Sequence, residues 1–383
     1  MEYKDDELLK LAKNRISTRQ RFKEIAKNNL DLMDKSRVDS DKFLASLLKK
    51  LKVRSIVIGI GGAGNNTISR MNEDGFIEFN TLNVNTDAHD LYYSNAKQKL
   101  LIGKNICNGL GSGNDPRIGA AAAEEDADRI SELVDKDVVF LTFGLGGGTG
   151  TGAAPIIARE AKKRGAIVVS FCSIPFTSEG KERRERAKMG LNELAKHSDT
   201  LITIPNDNLL RFNKNLPILT GFKIMDEVLI RCISEILFLI DNCGLINIDF
   251  ADIKKVLKRK GKYPTGLIGI TETLGDDDDL IKKARLAINN PLLDPDPNQV
   301  DNCIVSVSGD HKLSLSKINK VINTISSEIP ERALLKFGTA LNPSLGEKIR
   351  IMVLGSGYIS PYVHAAVDNL DFPNPNFSSF NIN

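Results

Sequence analysis

Gly144-Leu145-Gly146-Gly147-Gly148-Thr149-Gly150-Thr151-Gly152 is the stretch on which the reading of this 383-residue chain turns. The apolar run 138–143 leads into it, and a helical pattern follows it to Arg164. Five glycines and two threonines fill the seven positions 146–152, a density that packing alone does not require. Without a Cβ, the backbone takes φ > 0 and approaches a ligand closely. The helix that follows aims its free N–H groups and positive dipole end at an anion. Thr149 and Thr151 add hydroxyl donors. A phosphate-binding turn between a strand and a helix is predicted.

The same arrangement occurs upstream. A strand at 55–59 runs into Gly59-Ile60-Gly61-Gly62-Ala63-Gly64-Asn65-Asn66 and then a helix through Met71. Further strands are predicted at 81–84, 138–143, 166–172 and 201–204, with helices at 117–133, 149–164 and 181–196. Apolar strands alternating with helices indicate an α/β fold, a doubly wound parallel sheet covered on both faces. Gly59, Gly61 and Gly64 also satisfy G-x-G-x-x-G, with Asp87 at a ribose-contacting distance, which opens a nicotinamide dehydrogenase reading. The second glycine cluster argues against it. The chain has no Walker A lysine: Gly103-Lys104, Gly180-Lys181 and Gly261-Lys262 are followed by Asn105, Glu182 and Tyr263. Phosphate binding therefore rests on backbone amides.

A long amphipathic helix is expected over 219–242, ~36 Å at 1.5 Å per residue. Strands at 267–271, 303–308, 334–340 and 348–354, with helices at 278–288 and 314–329, make a second, smaller α/β domain. The expected organisation is a charged extension 1–52, a nucleotide domain 53–218, a central helix 219–243, a C-terminal domain 244–362 and a flexible tail 363–383. At the far end of the long helix, Asn247, Asp249 and Asp252 form N-x-D-x-x-D. Carboxylates so spaced can orient a water or cation against a phosphate; taken alone, Asp249 better suits the N-cap of the next helix. The long helix carries this loop ~35 Å from the glycines of its own subunit. It is therefore expected to act on a neighbour's nucleotide in a head-to-tail, non-closing assembly.

Composition narrows the class. With 41% hydrophobic and 26% charged residues, the chain suffices for two domains, since single cores stop growing near ~250–300 residues. A net charge of +3 gives no case for a nucleic-acid partner. Residues 1–54 carry 15 Lys and Arg against 9 Asp and Glu. This leader reads as a solvated helix, or as a contact for a membrane surface or acidic partner. Phe43, Leu44, Leu47, Leu48 and Leu51 recur there at helical spacing behind Asp39, Ser40 and Asp41. Cysteines at 107, 172, 232, 243 and 303 show no C-x-x-C spacing, and read as buried hydrophobes in a reducing, cytoplasmic compartment. No metal site from protein side chains is predicted.

GGGTGTG at 146–152 and GLINIDFAD at 244–252 together resemble FtsZ, the tubulin-like GTPase family of prokaryotic cell division, in its archaeal form. The likeness runs from about Val53 to Gly355. It implies that Gly61, Gly62, Ala63, Gly64, Asn65 and Asn66 form a first phosphate loop and Asn83 to Ala88, with Asp87, a second. Gly111, Ser112 and Gly113 would sense the γ-phosphate, and Gly147, Gly148, Thr149, Gly150 and Thr151 would cradle phosphates. Glu179 and Arg183 would contact ribose and phosphate. Phe222 would stack on guanine, and Asn206 and Asp226 would hydrogen-bond it. Asn247, Asp249 and Asp252 would complete the neighbour's site catalytically.

The same resemblance implies GTP and GDP as ligands and Mg²⁺ accompanying GTP, with a monovalent cation left open. It also implies head-to-tail self-assembly into a division ring near the inner membrane face, and an anchor or adaptor protein bound by the tail or leader. A paralogue is left open as a co-assembling partner. The γ-phosphate loop departs from the family's Gly-Ala-Gly-Gly-Asn-Pro: Asn114 and Asp115 replace its second Gly and Asn. An aspartate there adds repulsion unless it is offset, which leaves a filament scaffold with little hydrolysis as the alternative. The tail, with Phe372, Pro373, Phe377 and Phe380, differs from the bacterial anchor-binding peptide. True tubulins, with their extended C-terminal helix pair, fit less well.

Overall fold

A computed structural model describes residues 53–73, 79–212, 217–241, 246, 248–258, 261–274, 276–293, 295–310, 313–342 and 345–373. The predicted leader helix, Asn247, Cys243 and the tail aromatics Phe377 and Phe380 lie outside the described residues.

Six strands, β1 (Ser55–Ile60), β2 (Thr81–Asn85), β3 (Gln98–Leu101), β4 (Val138–Gly144), β5 (Ile167–Ile174) and β6 (Thr200–Pro205), lie in the order β3-β2-β1-β4-β5-β6. All neighbours in it are parallel. Ile56, Ile58 and Ile60 enter one core and Val57 the other, as the two-residue period of a strand buried on both faces requires. Interleaved with the strands are α1 (Gly61–Glu73), α2 (Ala88–Tyr93), α3 (Lys104–Cys107), α4 (Pro116–Glu125), α5 (Ala127–Leu133), α6 (Thr149–Lys163), α7 (Lys181–His197) and α8 (Leu209–Phe212). The strand order reverses between β1 and β4, the switch point where open α/β sheets bind ligands beyond their carboxyl ends. Ile60 pairs with Phe143, so both glycine turns leave the sheet side by side.

The second sheet holds β7 (Gly266–Thr273), β8 (Asn302–Gly309), β9 (Leu334–Leu341) and β10 (Ile349–Ser356) in the order β7-β10-β8-β9. β10 is antiparallel to β7 and β8, and β8 is parallel to β9. Between the two sheets runs α9 (Ile218–Asp241), followed by α10 (Phe250–Leu257). Met225, Leu229, Ile233, Ile236 and Leu237 of α9 share one core with Phe140 and Phe171 of the first sheet and Ile304 and Met352 of the second. Arg231 and Glu235, which interrupt the apolar stretch 228–240 of this helix, are paired. Glu235, 1% exposed, accepts from the Ser308 hydroxyl at 2.9 Å and faces Arg350 at 3.3 Å. Arg231 reaches Glu272 at 2.9 Å, which Arg350 also meets at 2.8 Å. A buried carboxylate persists only with such partners. On the sheet's other face lie α11 (Asp277–Ile288) and α12 (Leu315–Glu328). The last helix, α13 (Pro361–Val367), returns to the first sheet, where Tyr362 and Val363 join the β1 core.

Three expectations need correction. The helix predicted over 117–133 is two, α4 and α5, broken at Asp126 (φ −106°, ψ 20°). The Asp126 carboxylate accepts from Gly103 N at 2.9 Å and Arg129 at 2.6 Å, which fixes the break. Strand β3 went unpredicted because it is a short edge strand with Gln98 and Lys99 exposed. Residues 363–373, expected in a flexible tail, include most of α13, and Phe372 packs edge-on to Tyr362 with ring centroids 5.4 Å apart. Among the described cysteines, 107, 172, 232 and 303 are buried and free; burial pushes the thiols of Cys172, Cys232 and Cys303 up. No described helix is long and apolar enough to cross a membrane.

Candidate functional site

Beyond the carboxyl ends of β1 and β4 opens a cleft of about 630 Å³, within the size range of small-molecule sites. Its floor is glycine backbone. Gly61 has φ 69°, and a Cβ there would stand 3.1 Å from Gly150 N, so the two turns touch. A Cβ on Gly148 would fall 2.2 Å from Ser112 Oγ and 2.9 Å from Asp115 N. A side chain at either place displaces a loop. Thr149 Oγ1 sits 2.7 Å from Thr86 Oγ1 and 3.1 Å from Ser112 Oγ, tying three phosphate-loop candidates into one hydroxyl cluster. The N-termini of α1 and α6 both open here, which favours an anion.

Of the residues expected to bind nucleotide, Gly61, Gly62, Ala63, Asn66, Asp87, Gly111, Ser112, Gly113, Gly147, Gly148, Thr149, Gly150, Glu179, Arg183, Asn206, Phe222 and Asp226 line this cleft. Three do not. Gly64 packs its Cα side against β4, where a Cβ would lie 2.1 Å from Thr142 O. Asn65, buried, donates to Gly59 O at 2.9 Å and accepts from Asn85 Nδ2 at 2.9 Å, so it braces the two loops from behind. Thr151 Oγ1 accepts from Gly146 N at 2.9 Å and holds the glycine turn closed.

At the other end of the cleft, Phe222 faces Phe176 with ring centroids 6.3 Å apart. Asn206 Oδ1 is buried without a protein hydrogen-bond partner, a cost that a bound donor would remove. Asp226 accepts from Thr67 Oγ1 at 2.6 Å and pairs with Arg70. Arg70 was missed in the sequence, although it stands one helical turn beyond Asn66. Asp87 caps α2, accepting from His89 N at 2.9 Å and Asp90 N at 3.1 Å. Glu179 accepts from Phe176 N at 2.7 Å and pairs with Arg183 at 3.0 Å.

The departures at 114 and 115 fit this loop. Asn114 has φ 60°, the left-handed conformation that asparagine tolerates better than most residues and glycine adopts freely. Asp115 turns its carboxylate onto α4, accepting from Arg117 N at 2.8 Å and Arg117 Nη2 at 2.7 Å. Hydrogen bonds from Arg117 pull its pKa down to about 2. Arg117 is thus a counter-charge to this aspartate, which is not among the residues lining the cleft.

The acidic loop lies at the opposite edge. Thr200, the first residue of β6, donates to Leu257 O at the end of α10, so α10 finishes by the amino ends of the strands whose carboxyl ends form the cleft. Beyond Asp226, α9 runs on to Asp241, ~22 Å at 1.5 Å per residue. Asp249 occupies the N-cap position of α10 and is exposed. Asp252, in its first turn, meets Lys336 Nζ at 2.6 Å and Lys255 Nζ at 3.6 Å. Lys336 holds the Asp252 carboxyl below its usual range.

The pattern of this chain matches known proteins. Residues 54–214 match the family model described as Tubulin/FtsZ family, GTPase domain, and residues 265–358 that of the FtsZ family, C-terminal domain. The chain belongs to the tubulin/FtsZ family. It is 41% identical over 327 residues to Cell division protein FtsZ of Methanothermobacter thermautotrophicus, covering 85% of each chain. It is 44% identical over 324 residues to Cell division protein FtsZ 1 of Pyrococcus horikoshii, covering 84% of this chain and 86% of that one. An FtsZ dimer structure from M. jannaschii superimposes with TM-score 0.74 at 40% identity, over 83% of this chain and 92% of that one. The fold is thus that of tubulin and FtsZ, and both glycine turns of the cleft lie in the part matched as the GTPase domain.

Proposed function

We propose that this FtsZ-family GTPase binds GTP in its own cleft and hydrolyses it with the acidic loop of the next subunit in a head-to-tail cell-division filament. The observation that carries this is that Asp249 and Asp252 open α10, beyond the far end of α9, with Asp252 held at β9 of the second sheet. The ~22 Å of α9 past the cleft residue Asp226 leaves no route to an intramolecular site. Backbone N–H groups of Gly61–Ala63 and Gly147–Gly150 hold the phosphates, helped by the dipoles of α1 and α6. Phe222 stacks on the base, and Asn206 Oδ1 accepts a base N–H. The incoming Asp249 and Asp252 orient the attacking water and take up its proton.

Mg²⁺, when bound with GTP, would supply charge neutralisation at the phosphates. Among the described residues no group of three or more His, Cys, Asp or Glu is placed to hold a metal, while Asp87 and Asp90 are carboxylates in the cleft wall. The phosphates would therefore be the chief ligands of Mg²⁺, with these two beside them. A monovalent cation, an anchor or adaptor bound by the tail or leader, a co-assembling paralogue, and a location at the division site under the membrane belong to the same proposal. The scaffold reading with little hydrolysis stays as the alternative; Arg117, paired with Asp115 at 2.7 Å, is a counter-charge to that aspartate.

Electron microscopy of the purified full chain tests assembly. Linear filaments with GTP and few with GDP are expected; single particles under both conditions would contradict the proposal.

A further inference from the structure

We propose that Lys336 on β9 is a positioning residue for hydrolysis: its ammonium fixes the Asp252 carboxylate in the attitude that meets the neighbour's nucleotide. This rests on the reading of Asp252 as a catalytic group. It adds a residue that lies 84 positions away in sequence, on the second sheet.

The geometry is specific. β9 is an edge strand, and it supports the acidic loop at three points. Thr339 N donates to Ile246 O at 3.0 Å, and Thr339 Oγ1 accepts from Ile246 N at 3.3 Å. Gly338 lets Ile248 press against the strand, since a Cβ there would come within 2.6 Å of Ile248 Cγ1. Lys336, two residues earlier and so on the same face as Gly338, meets Asp252 at 2.6 Å. Backbone and packing contacts thus place the start of the loop, and only the ion pair reaches its carboxylate from β9.

Asp252 is largely covered, 16% exposed, while Lys336 is 37% exposed. Lys255, 64% exposed and 3.6 Å away on the same helix, is the weaker partner. A carboxylate on one turn of helix swings through its rotamers unless a partner selects one. Misplacement of a reacting group by about 1 Å costs on the order of a hundredfold in rate. Among the described residues, these two lysines are the charged partners of Asp252.

The test compares full-length Lys336→Met, Lys336→Arg and Asp252→Ala for GTP affinity, sedimentable polymer and phosphate release. For Lys336→Met, GTP affinity and polymer should match the parent while kcat falls about tenfold or more. Lys336→Arg should recover most of the rate. Parent kcat in Lys336→Met overturns the inference. If Asp252→Ala keeps full turnover, the reading of Asp252 itself fails; if it is inactive while Lys336→Met is unchanged, only the role of Lys336 falls.

Should Lys336→Met polymerise poorly alone, it is doped into an excess of Asp252→Ala filaments, where turnover depends on the loops of the doped subunits. Doped Lys336→Met should then give about a tenth of the rate of equally incorporated parent protein, and an equal rate overturns the inference.

Discussion

The cleft at the carboxyl edge of the first sheet and the acidic loop at its amino edge are built from different materials. The phosphate end of the cleft is mainly backbone: glycine turns after β1 and β4 that touch each other and two helix N-termini, joined by a cluster of side-chain hydroxyls. Little in it needs to move for phosphates to enter. The acidic loop is held by side chains from elsewhere, Lys336 and Thr339 of β9. On the proposed reading, one subunit would carry a finished binding site and only one half of a hydrolytic site. Affinity and turnover should respond to separate sets of mutations.

The sharpest way to break that separation is at Gly148. In Gly148→Val the side chain meets Ser112 and the Asp115 nitrogen, so GTP affinity should drop by roughly a hundredfold or more, read by nucleotide titration. Near-normal affinity would remove the 144–152 turn from the binding site. Next in size is Asp252→Ala, which should lose roughly a hundredfold or more in turnover with unchanged GTP affinity. Loss of binding in that variant would merge the two regions.

A third variant sharpens the comparison by testing the joint between them. Glu235 is buried between α9 and the second sheet, bonded to Ser308 and Arg350. Glu235→Ala leaves Arg350 short of a partner and should cost about 3 kcal/mol of stability, measured by denaturant unfolding. The nucleotide affinity of the folded fraction should not change. The smallest effect is expected at Asn114→Gly. Glycine adopts φ 60° without strain, so GTP affinity should stay within about twofold, whereas Asn114→Val should weaken it.

Much of the first sheet was legible because its strands are continuous apolar runs closed by glycine clusters. Strand β3 was not, since its exposed Gln98 and Lys99 leave no apolar signal. The break at Asp126 depends on Gly103, 23 residues earlier, and no local pattern announces it. The site divides in the same way. Glycines and threonines of the phosphate turns identify themselves by density, yet spacing alone does not tell Thr149, which faces the cleft, from Thr151, which braces it. Arg70 and Lys336 act through ion pairs with Asp226 and Asp252. These contacts bring together residues far apart in sequence, where periodicity carries no information.

Phosphate release per molecule, measured against protein concentration at saturating GTP, tests the central claim most directly. A site divided between two subunits predicts activity that rises steeply from near zero and levels off once the protein is polymerised. A rate per molecule that stays constant down to concentrations where every subunit is alone would contradict it.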